Sequence, residues 1–526
     1  LLRASAAVET GIRRQSSLAW YDASTPRPDN YHYLPSYFTG EAFEAVDAVW
    51  RAGDERYTQI DWAELYRRNR MQPDGEALYA LEDRVERPLR MQTAIRIESE
   101  VDPQLTVACA LRVDYDAPRR YKQLRDLLGA GRLTDIDHFL LDDATYSNRL
   151  QNDLRHPDRT VGEGDRFGYD YRTVRCEVAA DGVVRYRSDR WTAEFGASVG
   201  RCVVRRRGFY EKELFPGAGS YGGSSRLRFT PYALRASAGY AFSSRSYLEI
   251  SASASAAVPD VEDLFLQPLY NNRTVDDPSL SRRYGAELGF VRTGGAFELR
   301  VTGYLAATRD GIRTTRFFDD LSYEYCDMTV RGIGRLDYGA EAAARLRLTW
   351  NWSLSAAVGA GSHTDAGNEL RADGVTSYMS GLRPGGTASL AATAGVHYFG
   401  RSGWYFSADA SLVAGRWVAP SFHYRTSRVA NQASDSPETF ALFMEQERLD
   451  DSFTADVSAG NVAAGRVETV GHAVGTQPAR RPSHGLLRLR VRSGAAPAQR
   501  CRVLLPSVRY EPALCLRPQR DVDREL

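Results

Sequence analysis

Along most of this chain apolar and polar residues alternate with period two, the spacing of β-strands whose two faces meet different surroundings. From Tyr247 the run is clear: Leu248, Ile250, Ala252 and Ala254 fall on one face, and Glu249, Ser251, Ser253 and Ser255 on the other. Trp191, Ala193, Phe195, Ala197 and Val199 oppose Thr192, Glu194, Gly196 and Ser198 in the same sense. Phe297, Leu299, Val301 and Leu305 likewise oppose Glu298, Arg300, Thr302 and Tyr304, and the runs Tyr338–Leu348 and Trp404–Leu412 repeat the pattern. Most runs reach the roughly 9 to 11 residues that a membrane-spanning strand needs. A stack of soluble β-sandwiches also alternates, but its strands average only about 5 to 6 residues. Trp191, Tyr240, Phe242, Tyr284, Trp350, Trp352, Trp404 and Tyr405 gather near the ends of the runs, where an interfacial girdle places aromatics.

The connections alternate as well. Asp102-Pro103-Gln104, Ser243-Ser244-Arg245, Thr293-Gly294-Gly295 and Gly400-Arg401-Ser402-Gly403 are hairpin-length turns of Gly, Pro, Ser and Asp. The opposite ends are joined by long segments near 119–165, 208–226, 259–280, 314–334, 364–384 and 420–450. Short turns on one side and long loops on the other predict an all-β fold. It is a transmembrane antiparallel β-barrel of about 14 strands, with short periplasmic turns and long extracellular loops in an outer membrane. The first connection, about 16–91, is too long for bare coil and carries helical signals. Glu41 to Trp50 is amphipathic, and Asp61 with Glu64 reads as an N-cap and its partner before Leu65. Tyr121 to Leu128, ended by Gly129, predicts a further short helix in the loop after the third strand.

Composition narrows the class. Across 526 residues no Pro/Ser/Gly linker or internal repeat divides the chain, so one architecture is expected over residues 1–460. With 68 Lys+Arg against 67 Asp+Glu, the net charge of +1 gives no field that would select nucleic acid. Mean hydropathy is -0.43, and no run of about 18 apolar residues offers a helical membrane span. Six cysteines lie without metal-site spacing. The chain opens on Leu1-Leu2-Arg3 without signal-peptide character, the expectation being a mature start or a missing upstream segment.

Beyond Asn461 the character changes. Residues 461–526 hold one aromatic, Tyr510, where the chain's 11% aromatic content predicts about seven. Arg and Pro are abundant there and Lys is absent. The expectation is an anomalous tail produced by a frameshift after about Asn461, while Leu487, Leu489 and Val491 alternating with Arg488, Arg490 and Arg492 leave a genuine strand as the alternative.

Several segments resemble the barrel of a bacterial TonB-dependent outer-membrane receptor. They are Ser17–Ala23 with Pro26–Tyr37, then Tyr270-Asn271-Asn272 through Tyr284–Phe290 and Val301–Leu305, and Arg335–Glu341. The resemblance covers about residues 1–460. It implies a barrel of about 22 strands, an N-terminal plug and uptake of a scarce solute energised by the TonB complex. The plug and the TonB-contacting segment are not seen in this sequence. Expected partners are outer-membrane lipid, the TonB complex and a surface lipoprotein. The expected solute is a metal chelate, a cofactor or an oligosaccharide. The alternative is a plug-free porin or a surface-binding barrel.

No enzyme motif is found, and no cofactor is expected. Gly217–Gly223 is glycine-rich but lacks the strand-to-helix context of a phosphate cradle. Asp135, Asp137, Asp142 and Asp143, with His138, crowd one loop and suit hard cations, although a solvated acidic loop has the same composition. Loop aromatics Tyr31, Tyr33, Tyr37, Tyr270, Phe317, Phe318 and Tyr323 suit stacking on sugars or planar chelates. Which metal, if any, the loops hold is left unknown. Arg300, Arg345 and Arg347 fall on the polar face, where they line a wall.

Overall fold

A computed structural model describes residues 1–138, 149–319, 324–367, 369–371, 374–420, 425–427, 436–463 and 466–478. The alternating runs form one antiparallel ladder. In order it holds β1 (Leu2–Thr10 and Arg13–Trp20), β2 (Tyr79–Arg87 and Leu89–Glu100), β3 (Leu105–Asp116 and Arg119–Asp126), β4 (Arg166–Arg187), β5 (Trp191–Gly208), β6 (Leu227–Phe229 and Tyr232–Ser243), β7 (Ser246–Ala257) and β8 (Ser281–Arg292). It continues through β9 (Phe297–Asp319), β10 (Glu324–Arg347), β11 (Trp352–Asp365), β12 (Leu390–Phe399), β13 (Trp404–Ala414), β14 (Ser452–Ala463) and β15 (Arg466–Pro478). Each strand pairs with the next. Among the described residues β1 and β15 each pair on one side only, so the ladder is open there.

Register carries each face across many strands. Trp191, Tyr240, Leu248, Phe290, Val301, Ala342, Val358, Ala392, Leu412 and Phe453 are successive cross-strand partners, forming an unbroken apolar row. Three positions along, Glu298, Arg345, Ser355, Gly395, Asp409 and Asp456 form a polar row on the other face. A one-residue slip would exchange these surfaces on any strand, so the difference between the two faces fixes the register. The short turns sit where the sequence places them. At Thr293-Gly294-Gly295 both glycines have positive φ (+80° and +77°), a backbone that side-chain-bearing residues rarely adopt.

Two expectations are corrected. The segment 121–128 is not helical: β3 continues to Asp126, with its backbone taken up by β2 on one side and β4 on the other. An eight-residue helix is marginal alone, and two neighbouring ladders outcompete it. Only the stop is kept, as a turn in which Leu128 (φ 49°) and Gly129 (φ +82°) reverse the chain. The loop expected at 314–334 is instead a hairpin continuing β9 and β10, in register from Ile312↔Arg331 to Asp319↔Glu324 after irregularities between Thr308 and Ile312. At the C-terminal side, β14 runs to Ala463 and β15 extends the ladder to Pro478, past the boundary expected near residue 460. Tyr510 and the rest of the tail lie outside the described residues.

The first outer connection folds as α1 (Gly40–Ala52), α2 (Glu55–Thr58) and α3 (Trp62–Arg70). Asp61 caps α3 by accepting from the Glu64 amide at 3.0 Å, while the Glu64 carboxylate pairs forward with Arg67 and Arg68 rather than back to the cap. Leu65 of α3 packs with Tyr79 and Leu128, and buried Asn69 pins both segments, donating to the Tyr79, Leu127 and Leu128 carbonyls. Among the described residues, all three buried apolar clusters lie at this outer end.

Candidate functional site

The outer connections fold over the concave face of the ladder. After β7 the chain enters residues 258–280, and Val258, Leu264 and Phe265 bury against Cys202, Val204 and Phe229. Cys202 and Val204 lie on the face of β5 opposite Trp191, Phe195 and Val199, which is the polar, inner face. From there Glu262 reaches Arg120 of β3 at 2.7 Å, and Asp263 accepts from the Thr314 amide of β9 at 2.7 Å. One loop thus touches strands six places apart in the ladder, which only a curved sheet allows. A cavity of about 320 Å³ remains between this loop and the wall. Its charges alternate: Arg120 also pairs with Glu86 at 2.8 Å, Arg13 with Glu86 and Glu9, and Arg90 with Glu9. Balanced cations and anions make it a wet wall without preference for one sign of ion.

Above it three loops lock around one amine. Lys212 is buried, and its Nζ donates to Asn152 Oδ1 at 2.6 Å and to the Gly168 carbonyl. It lies 5.4 Å from the centre of the Tyr270 ring. Burial pushes the Lys212 ammonium down to about 8, against the opposing pull of Asp135 and Asp137. Asp135 accepts from Arg159 at 2.7 Å, from Asn152 at 3.0 Å and from the Gly168 amide at 2.8 Å. Tyr270, its phenol held above its ordinary range by burial, meets Arg316, which is clamped by both oxygens of Asp327. Nearby, buried Arg206 donates to the Pro268 carbonyl at 2.7 Å and to Asn272 Oδ1 at 2.5 Å, and lies over the Tyr171 ring.

Of the residues singled out in the sequence, Asp135, Asp137 and Tyr270 therefore come together around Lys212. Asp135 spends its oxygens on protein donors, and among the described residues no group of three or more His, Cys, Asp or Glu is placed to hold a metal ion. Tyr31, Tyr33 and Tyr37 form a separate, exposed group on the first connection, with Tyr31, His32 and Tyr37 ring against ring at 4.0 to 5.7 Å. Phe317 and Phe318 pair in the ladder with Cys326 and Tyr325. Asp142, Asp143 and Tyr323 lie outside the described residues. Sequence reasoning missed Lys212, Arg159 and Arg206. A signal existed, since only two of the 68 cationic residues are lysines, Lys122 and Lys212, and both sit in this cap.

No family model matches the chain, and no curated protein matches it in sequence. Solved structures do. The copper transporter OprC aligns over 73% of this chain and 50% of its own length at 11% identity, with a TM-score of 0.50. The ferric citrate transporter FecA aligns over 73% and 49% at 12% identity and 0.46. The ferric yersiniabactin receptor FyuA of Yersinia pestis aligns over 72% and 50% at 10% identity and 0.45. The chain spans about half the length of these structures. At such identities the likeness speaks for fold, and it meets an antiparallel ladder with an apolar outer face, short turns at one end and inward-folded loops at the other. The chain has the β-barrel fold of the TonB-dependent outer-membrane receptors.

Proposed function

We propose that the chain is the barrel portion of an outer-membrane receptor that captures a scarce solute at its outer mouth and passes it inward by binding and release, without covalent chemistry. The observation that carries this reading is the cap: loops from four connections converge over the concave face, and residues 258–280 narrow the passage beneath them. In the full receptor a plug and the TonB complex energise release, and a surface lipoprotein assists capture. The exposed Tyr31, His32 and Tyr37 rings provide a stacking face, which suits a planar metal chelate, a cofactor or an oligosaccharide.

Titration calorimetry of the purified barrel against ferric chelates and oligosaccharides tests it. Binding by one class, weakened about tenfold or more in Tyr31→Ala/Tyr37→Ala, supports the reading. No binding by either class, together with steady conductance in planar bilayers, replaces it with a passive porin, in which residues 258–280 act as the constriction.

A further inference from the structure

Strand β5 keeps strict alternation from Thr192 to Gly208, with no register shift against β4. Its outward face therefore runs Trp191, Ala193, Phe195, Ala197, Val199 and then Arg201, Val203, Arg205, Arg207. Inward neighbours Cys202, Val204 and Arg206 are buried beneath the cap, whereas Arg201, Arg205 and Arg207 are exposed. Nine residues of apolar face match what crosses a bilayer. Arg201 stands directly above that band, and Arg205 and Arg207 follow within about 15 Å by the rise of a tilted strand.

Neighbouring strands add to the charge. Arg228 of β6 pairs with Val203, and Arg172 of β4 lies directly opposite Arg207. Arg119 of β3 lies opposite Arg172 on its other side, so three arginines stand abreast at one height. Arg119 is held by both oxygens of Asp170 and lies 4.2 Å over the Phe209 ring, which Arg207 also approaches at 5.6 Å. Among the described residues Arg172, Arg201, Arg205, Arg207 and Arg228 have no carboxylate partner, and the buried Arg172 Nε has no hydrogen-bond acceptor. Like charges directly across a strand pair destabilise it. Further round the rim the situation is the opposite: outward Arg282 of β8 is neutralised by Asp310 at 2.6 Å.

We propose that this outward arginine patch on β4, β5 and β6 binds the phosphate groups of an anionic glycolipid headgroup in the outer leaflet. Guanidinium forks match phosphate oxygens two at a time, and phosphates set between Arg207 and Arg172 offset their mutual repulsion. The acyl chains of the same lipid would continue down the Phe195 and Val199 face. The proposal rests on the outer-membrane reading above.

The test reconstitutes the whole chain into phosphatidylethanolamine vesicles containing either bisphosphorylated lipid A or the same lipid dephosphorylated. Thermal unfolding and lipid retained on extraction are then measured. The phosphorylated lipid should raise the unfolding midpoint and co-purify. Arg201→Gln/Arg205→Gln/Arg207→Gln should lose on the order of a hundredfold in lipid affinity, at roughly fivefold per arginine, while Arg282→Gln keeps the preference. Should the triple variant fail to insert, the wild-type contrast between the two vesicles decides alone. Equal midpoints and equal retention for the wild type overturn the proposal, as does a triple variant that keeps the preference. Failure of the wild type to insert into either vesicle overturns the membrane reading with it, whereas insertion without discrimination overturns this proposal only.

Discussion

The half of the ladder near the short turns and the half beneath the outer loops are built by different means. Among the described residues the lower half holds no buried apolar cluster: Trp191, Phe195, Ile250, Leu288 and Val301 are exposed, and strand is joined to strand by backbone pairing, with side-chain contacts such as Arg185–Glu194 and Trp191–Tyr240 added along the two faces. Lipid supplies the apolar surroundings there. In the outer half Leu264, Phe265, Leu133, Leu124 and Tyr79 are almost fully buried, and side chains from sequence-distant loops close on one another as in a soluble domain. One chain thus uses two solvents, with a packed core only where water is the competitor.

That contrast predicts where substitutions act. Phe265→Ala should have the largest effect, about 3–5 kcal/mol, because a ring with no exposed surface leaves a cavity between loop and wall. The damage should be local. The Val275 amide, which donates to the Leu264 carbonyl at 3.0 Å, should lose hydrogen-exchange protection while amides of β7 keep theirs. Ile250→Arg should come next, at about 2–4 kcal/mol in denaturant titration in vesicles, since it puts a charge on the lipid face near mid-span. Ser251→Arg, one residue along on the inner face, should change stability far less. Equal effects at 250 and 251 would break the assignment of faces.

The lower half was legible in the sequence because period-two alternation is a local signal and the bilayer makes it strict. The strand runs, four named turns and strand count to Ala463 were read from it directly. The outer half was legible only where signals stayed local, as at Asp61 and α3. Tyr121–Leu128 looks helical by itself, and only pairing to β2 and β4 makes it a strand. Lys212 has no neighbour in sequence that announces Asn152, Gly168 or Tyr270, which arrive from three other segments. Its rarity was the available clue. The same rarity shows that a lack of lysine beyond Asn461 marks nothing, because no lysine follows Lys212; the loss of aromatics is what marks that tail. Peptide mass spectrometry that recovers the segment around Tyr510 would establish the tail as translated, and its absence alongside full coverage of β14 would favour the frameshift.

A smaller effect is expected at Glu369, whose buried Oε2 has no partner and whose carboxyl is pushed up to about 8 by burial and then by Asp365. A raised folded value means that stability is fully present below the unfolded carboxyl range, near 4.5, and is lost as pH rises to about 8. Glu369→Gln should therefore be nearly neutral at pH 5 and stabilising by about 1–3 kcal/mol at pH 9. A variant whose unfolding curve keeps the wild-type pH slope would place the group in water instead.

The smallest change should come from Glu262→Gln, although the Arg120–Glu262 contact at 2.7 Å looks like the strap that ties the loop to the far wall. Both side chains retain solvent, and Arg120 keeps Glu86 at 2.8 Å when Glu262 is neutralised, so no unpaired buried charge is left behind. An ion pair in that setting contributes at most about 1 kcal/mol. Exchange protection at Val275 should then survive Glu262→Gln and collapse in Phe265→Ala. If the order were reversed, the cap would be held by its charges, and raising the salt concentration alone should loosen it. The apolar anchor predicts instead that salt leaves the loop in place, because Leu264 and Phe265 are held by what excludes water rather than by what water can screen.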